Sequence, residues 1–243
     1  MSKNRGYLKD HINVLLPEDL QDASRAARRY AVAPKKRTLR NFGAIIREAL
    51  KPFADHGGKP LLISNEELAG LIPGRKGVWS YEQTHVLAKV LLDEVLHLTE
   101  DGDRIVFLLT TRNAPDWVKS TYWQNLRSHR IRENLAQYGE ALRRGSDLEA
   151  VVCRVKEAVS PRAEVESVNV SRFDDHYFPL IKALSILNVR SDRLVKSENR
   201  NVQPMGGADY FLELNRSNLS DEEVSAAKRE YLNKLKRSNG ATS

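Results

Sequence analysis

Cysteine is nearly absent: Cys153 is the only one in 243 residues, which excludes an internal disulfide framework and a thiolate metal cluster. Long apolar runs are missing too, since nothing approaches the roughly 20 residues that cross a bilayer. The opening residues, Met1 to His11, are charged and lack an apolar centre, so they do not read as a secretory signal. A Gly-x-x-x-x-Gly-Lys-Ser/Thr loop does not occur, which argues against a kinase-like nucleotide enzyme. No Asp and His grouping has metal-ligand spacing, so no metal is implied. The default expectation is a cytoplasmic protein.

What is present suits a globular core. Hydrophobic residues make up 41% of the chain and there are three Trp. At this length one large α/β domain accounts for residues 1–243, with a core over 11–238 and a flexible tail at 239–243. The net charge of +7 points to anionic partners. Its excess is concentrated in Arg25, Arg28, Arg29, Lys35, Lys36, Arg37 and Arg40, and again at Lys234, Lys236 and Arg237. A solvated helix face explains such clusters most of the time, so charge alone decides nothing.

Periodicity gives the order of elements. A helix tail at 2–10 and a strand at His11–Leu16 lead to a polar helix over Glu18–Tyr30. Leu39–Ala54 then repeats Phe42, Ile45, Ile46, Ala49, Leu50 and Phe53 at helical spacing. Leu61–Ser64 is a short buried strand, and Ser64 to Glu67 matches the capping box S-x-x-E. After a loop over Leu71–Ser80, Tyr81–Thr99 is an amphipathic helix. Later segments read as helices at Arg130–Gly145, Asp147–Val159 and Asp175–Leu187, a strand within Ala163–Phe173, and a polar loop over Val189–Gly207. A closing helix at Asp221–Leu235 is capped by Ser220. Strands separated by helices imply right-handed crossovers and a mainly parallel sheet.

The stretch Asp103–Ser128 organises the rest. Ile105 to Thr111 is apolar without alternation, as in a strand buried on both faces. It stops at Arg112 and turns through Asn113, Ala114 and Pro115, residues suited to a cap and a first helical turn. Ser120 then falls in the second turn of the following helix. Ligands of open α/β sheets bind beyond the carboxyl ends of strands, and helix N-termini attract anions. Arg112 and Ser120 therefore stand where a phosphate is held.

The segment Arg112 to Ser120 resembles the 3′-phosphate-binding segment of sulfotransferases, in which an Arg ending a strand and a Ser eight residues later grip the ribose phosphate of phosphoadenosine phosphosulfate (PAPS). Two further pieces fit. Leu61 to Glu66 looks like the strand-then-S-S-E segment of bacterial sulfotransferase-like proteins, and Ser120 to Gln124 resembles their S-x-Y-x-Q continuation. Val168–Phe173, the helix at Asp175 and the Asn-rich loop around Asn199 and Asn201 keep that order. The resemblance spans about Asn4 to Leu235 and is loose outside the two short motifs.

The resemblance implies a three-layer α/β fold of the P-loop NTPase and sulfotransferase kind, a mainly parallel sheet flanked by helices. PAPS is the implied co-substrate and adenosine 3′,5′-bisphosphate its product. The acceptor is a hydroxyl or amine of a carbohydrate or small molecule. One departure is large. The family's N-terminal strand and Lys-Thr-Gly-Thr-Thr-type turn, which hold the 5′-phosphosulfate, have no counterpart. Asn4 to Leu8 followed by Ile12 to Pro17 looks like what comes directly after that turn. The expectation is a chain lacking the first βα unit, with the edges of neighbouring strands left open.

Sulfuryl transfer needs a base for the acceptor's proton, and the family uses Glu or His. Glu66, at the carboxyl end of its strand, is the candidate, the alternative being a first-turn carboxylate that complements the helix dipole. Glu67 is assigned to the capping box. His85 and His97 read as packing or surface residues, and Lys119 as solvated. Trp117, Tyr122 and Trp123 suit either a core or adenine stacking, and Arg200 and Arg216 are weak candidates for a late phosphate contact. The expected partners are thus a nucleotide co-substrate and an acceptor, with no membrane span and no nucleic acid. The rival is a non-catalytic relative whose basic early segment binds nucleic acid or an acidic polymer.

Overall fold

The computed structural model describes residues 4–54, 58–100, 102–196, 204 and 206–240. Helix α1 (Arg5–His11) leads into strand β1 (Asn13–Leu15), which is followed by α2 (Gln21–Val32), α3 (Lys36–Leu50) and β2 (Leu61–Ile63). Helix α4 (Thr84–Val95) crosses to β3 (Val106–Thr111), and α5 (Ala114–Ser128), α6 (Leu135–Leu142) and α7 (Leu148–Val159) cross to β4 (Glu164–Asn169). Three further helices follow: α8 (Phe178–Ile186), α9 (Gly207–Arg216) and α10 (Asp221–Gly240). Among the described residues no helix is long and apolar enough to cross a membrane.

The class is α/β, and both strand pairs among the described residues are parallel. The pairing is nonetheless split: β1 pairs with β2, Asn13 opposite Leu61 and Leu15 opposite Ile63, and β3 pairs with β4, Val106 opposite Glu164 through Thr111 opposite Asn169. Among the described residues β2 and β3 do not pair. The sheet expected from the strand and helix order is therefore present as two parallel pairs.

Helix faces explain how the pairs are held. In α3, Phe42, Ile46 and Leu50 recur at helical spacing and are buried, with Leu39 and Ile45 beside them. They share a core with Ala23, Ala27 and Tyr30 of α2 and with Leu15, Leu61 and Ile63 of the first pair. The opposite face of that pair, Val14 and Leu62, packs on Leu8 of α1 and on Leu180 and Leu184 of α8. Helix α4 serves both pairs. Val86, Val90 and Val95 join the first core, while Ala88 and Leu92, with Leu96 just beyond the helix, meet Phe107 and Leu109 of β3 and Val155 of α7. Helix α8 also touches β3.

Several expectations are corrected. Strand β3 is not buried on both faces: Val106 to Leu109 are half-buried, Thr110 is exposed and only Thr111 is buried. Its apolar run lacks a neighbour on one side, which leaves that burial incomplete. The turn after β2 is capped by Asn65, whose Oδ1 accepts from the Glu67 N–H at 2.9 Å, and Ser64 takes no part. That element is a short 3₁₀ turn, Glu66–Ala69. Residues 207–216, unassigned by periodicity beyond the loop that ends at Gly207, form a helix because Phe211 and Asn215 turn a buried stripe toward α5 and α10. The closing helix does start as expected: the Glu223 N–H donates to Ser220 Oγ at 3.2 Å and the Ser220 N–H to Glu223 Oε2 at 2.7 Å.

Candidate functional site

Strand β3 ends on a fixed residue. Thr111 is buried and its hydroxyl donates to Glu149 Oε1 at 2.8 Å, tying the strand end to α7. Arg112 follows, exposed, with no hydrogen-bond or ion-pair partner among the described residues. Asn113 precedes α5 in an extended conformation and gives the helix its backbone carbonyl, which accepts the Trp117 N–H at 2.9 Å. Its side chain does not cap the helix. Asn113 Oδ1 accepts from Asn169 Nδ2 at 3.1 Å, and the Asn113 N–H donates to Ser171 Oγ at 3.2 Å.

The outcome is a helix start whose first amides have no side-chain acceptor among the described residues, directly after the exposed guanidinium. Pro115 fits because it lacks an N–H that would need one. Ser120 lies six residues into the 15-residue α5, about 9 Å along its axis, half-buried and without a side-chain partner among the described residues. Such a unit offers a dianion a fork of charged donors, backbone dipoles and a hydroxyl. The one adverse charge in the first turn is Asp116, which is exposed.

Glu66 belongs to a different unit. It is exposed at the start of the turn after β2, on a different element from Arg112 and Ser120. Its carboxylate acts on Tyr81, whose hydroxyl is pushed above its ordinary range chiefly by burial and in part by Glu66. Glu67 pairs with Arg28 of α2, so it is structural, though by an ion pair rather than a capping box. The two halves of the expected site thus sit at the carboxyl ends of β2 and β3, the two strands that fail to pair.

A polar network that the sequence did not reveal holds the intervening loop. Arg75 Nε donates to Asn125 Oδ1 of α5, and Arg75 Nη2 reaches Ser128 Oγ at 2.8 Å and the Gln124 carbonyl at 3.3 Å. Asn125 is fully buried; its Nδ2 donates to the Pro73 carbonyl at 2.8 Å and to Tyr138 Oη at 2.5 Å. Burial pulls the Arg75 guanidinium below, and pushes the Tyr138 hydroxyl above, their ordinary values. The available signal was the spacing of Trp117, Thr121 and Asn125, which puts an amide on the buried stripe of α5.

The remaining candidates separate cleanly. Trp117, Tyr122 and Trp123 are buried in one core with Tyr138, Leu142 and Phe211, so they form core and do not offer a stacking face. Lys119 and His97 are exposed, whereas His85 Nδ1 is buried without a partner among the described residues. Arg216 Nε donates to the Arg132 carbonyl at 2.9 Å, which ties it to the chain beyond α5 and away from Arg112. Arg200 and the loop around Asn199 and Asn201 lie outside the described residues. In the basic segment, Arg25 pairs with Asp22 and Arg28 with Glu67, while Arg29, Lys35, Lys36, Arg37 and Arg40 are exposed without a carboxylate partner among the described residues.

No family model, curated protein or solved structure matches the chain.

Proposed function

We propose that this chain is a sulfotransferase-like protein that binds the 3′-phosphate of PAPS, or of adenosine 3′,5′-bisphosphate, at the junction of β3 and α5. The observation that carries the reading is Arg112, an exposed guanidinium unpaired among the described residues, at a strand end directly before a helix whose N-terminus has no side-chain cap and whose second turn bears Ser120. The split pairing supports it: two parallel pairs sharing α4 on one face and α8 on the other are what a three-layer parallel sheet becomes without its middle strand. In a complete site the acceptor oxygen or nitrogen bonds the sulfur as the bond from sulfur to the 5′-phosphate oxygen breaks. Glu66 takes the acceptor's proton, and the acceptor is a carbohydrate or small molecule. Calorimetric titration with adenosine 3′,5′-bisphosphate tests the binding step. Arg112→Ala should weaken it about 10- to 100-fold, the worth of a charge-assisted hydrogen-bond pair, and equal affinity for the variant sinks the reading.

A second reading rests on the exposed cations Arg29, Lys35, Lys36, Arg37 and Arg40, without a carboxylate partner among the described residues, at the end of α2 and the start of α3. Under it the chain is non-catalytic and binds nucleic acid or an acidic polymer there. Binding of a single-stranded oligonucleotide that falls steeply with salt, with no bisphosphate binding, favours this alternative.

A further inference from the structure

The three tryptophans differ sharply in burial. Trp117 and Trp123 are each 5% exposed inside a core, whereas Trp79, in the loop before α4, is 50% exposed. Its backbone is nonetheless anchored on all sides. The Gly74 N–H donates to the Val78 carbonyl at 2.8 Å and the Val78 N–H to the Arg75 carbonyl at 2.9 Å, which closes a tight turn just before it. The Trp79 carbonyl oxygen lies against Gly145, where a Cβ would collide with it. Thr84 Oγ1 donates to the Ala69 carbonyl at 2.8 Å and fastens the start of α4 to the turn after β2. Single exposed apolar residues are ordinary, but here two meet. Trp79 and Val32, the latter 42% exposed at the end of α2, line one pocket of about 180 Å³.

The other side chains at that pocket are largely polar. Ser80, Glu82 and Gln83 line it with Tyr81, and the Ser80 hydroxyl, the Glu82 carboxylate and the Gln83 amide have no hydrogen-bond or ion-pair partner among the described residues. No Lys, Arg or His lines it among those residues. A carboxylate without a balancing cation repels an anionic ligand. A cationic ligand meets Glu82 but also the exposed cations Arg29, Lys35 and Lys36, which flank Val32 along the chain. A wholly apolar ligand leaves three polar groups unmet. What matches is a neutral molecule with one apolar face and several hydroxyls. A pyranose ring has both: its C–H face lies on the electron-rich face of an indole, and its hydroxyls donate and accept at once. The volume, below the roughly 300 Å³ at which pockets for larger ligands begin, suits a single ring.

We propose that this pocket binds one neutral hexopyranose ring, stacked on Trp79 with its hydroxyls held by Glu82, Gln83 and Ser80. No residue of the β3–α5 junction lines it, so the sugar site stands whether or not a nucleotide binds there.

The test is tryptophan fluorescence and saturation-transfer NMR of the full chain, without nucleotide, with cellotriose, mannotriose and galactotriose. The expected result is saturable binding of at least one of them, with emission moving to shorter wavelength because the exposed indole is covered. Trp79→Ala should abolish the shift and weaken binding at least tenfold in the NMR titration, while Trp79→Phe keeps it within a few-fold. Glu82→Ala should weaken it about three- to tenfold, the worth of a hydrogen bond to a charged group. Trp79→Phe and Glu82→Ala carry the test even where Trp79→Ala is unstable. Three outcomes overturn the proposal: no binding of any of the three sugars, binding that survives Trp79→Ala unchanged, or tighter binding of choline or glucuronic acid than of the neutral sugars. The last assigns the pocket to a charged ligand.

Discussion

The side chain of Asn113 accepts a hydrogen bond from Asn169 Nδ2 at 3.1 Å and so ties the end of β3 to the end of β4 instead of capping α5. The first amides of the helix stay available to a ligand. Asn113→Asp restores a strong cap and adds a negative charge where the phosphate is to sit. The expected outcome is unchanged or slightly raised thermal stability with at least tenfold weaker binding of adenosine 3′,5′-bisphosphate. Equal affinity in calorimetry would remove the helix terminus from the site.

Asn113→Ala provides the complementary measurement. A capping Asn costs about 1 kcal/mol when truncated, but this one makes no cap bond. Urea denaturation should therefore show a loss well below that figure.

Gly74 has φ of +89°, and a Cβ there would run into Tyr138 Oη and Asn125 Nδ2. Gly77 has φ of +76° with nothing within 4 Å. Gly77→Ala should cost only the left-handed strain, about 1–2 kcal/mol. Gly74→Ala should cost clearly more, because the Arg75, Asn125 and Tyr138 network must move. Equal losses for the two variants would contradict the packing described for that loop.

Lys228 is buried at 5% exposure, and its ammonium donates to the Leu126 carbonyl at 2.6 Å and the His129 carbonyl at 3.0 Å. These are last-turn carbonyls of α5 and its C-cap. Lys228→Met leaves them unmet, at a cost of about 1–3 kcal/mol. Burial, with Arg130 nearby, pulls the Lys228 pKa from 10.5 down to about 8. Between about pH 8 and 10.5 the unfolded state holds the proton more tightly, so this group's contribution to stability rises with pH across that window. The difference in unfolding free energy between wild type and Lys228→Met, followed from pH 7 to 10.5, should grow; a constant difference would mean that Lys228 titrates normally.

The sequence made the order of elements legible because burial imposes period on helices such as α3, where Phe42, Ile46 and Leu50 share a face. It also placed Arg112 and Ser120 on one strand-to-helix unit, since local turn chemistry sets that junction. What escaped it depends on distant partners. Asn113 looked like a cap, and only Asn169, from the far end of a crossover, turns it away. Asn65 caps in place of Ser64 because its Nδ2 also donates to Ser24 of α2 at 2.8 Å. The helix α9 was hidden because its stripe is short and half polar, with Asn215 buried by its bonds to the chain after α5. Arg75 sat in a stretch read only as loop, since nothing in a Pro-Gly-Arg-Lys-Gly run announces a buried guanidinium.

The central claim is that Arg112 and Ser120 recognise a ribose 3′-phosphate. The most direct measurement compares the affinities of the chain for adenosine 3′,5′-bisphosphate and for adenosine 5′-monophosphate, which lacks only that phosphate. The account predicts at least a tenfold preference for the bisphosphate in the wild type, lost in Arg112→Ala and reduced a few-fold in Ser120→Ala. Equal affinity of the wild type for the two nucleotides, or a preference that survives Arg112→Ala, would contradict it.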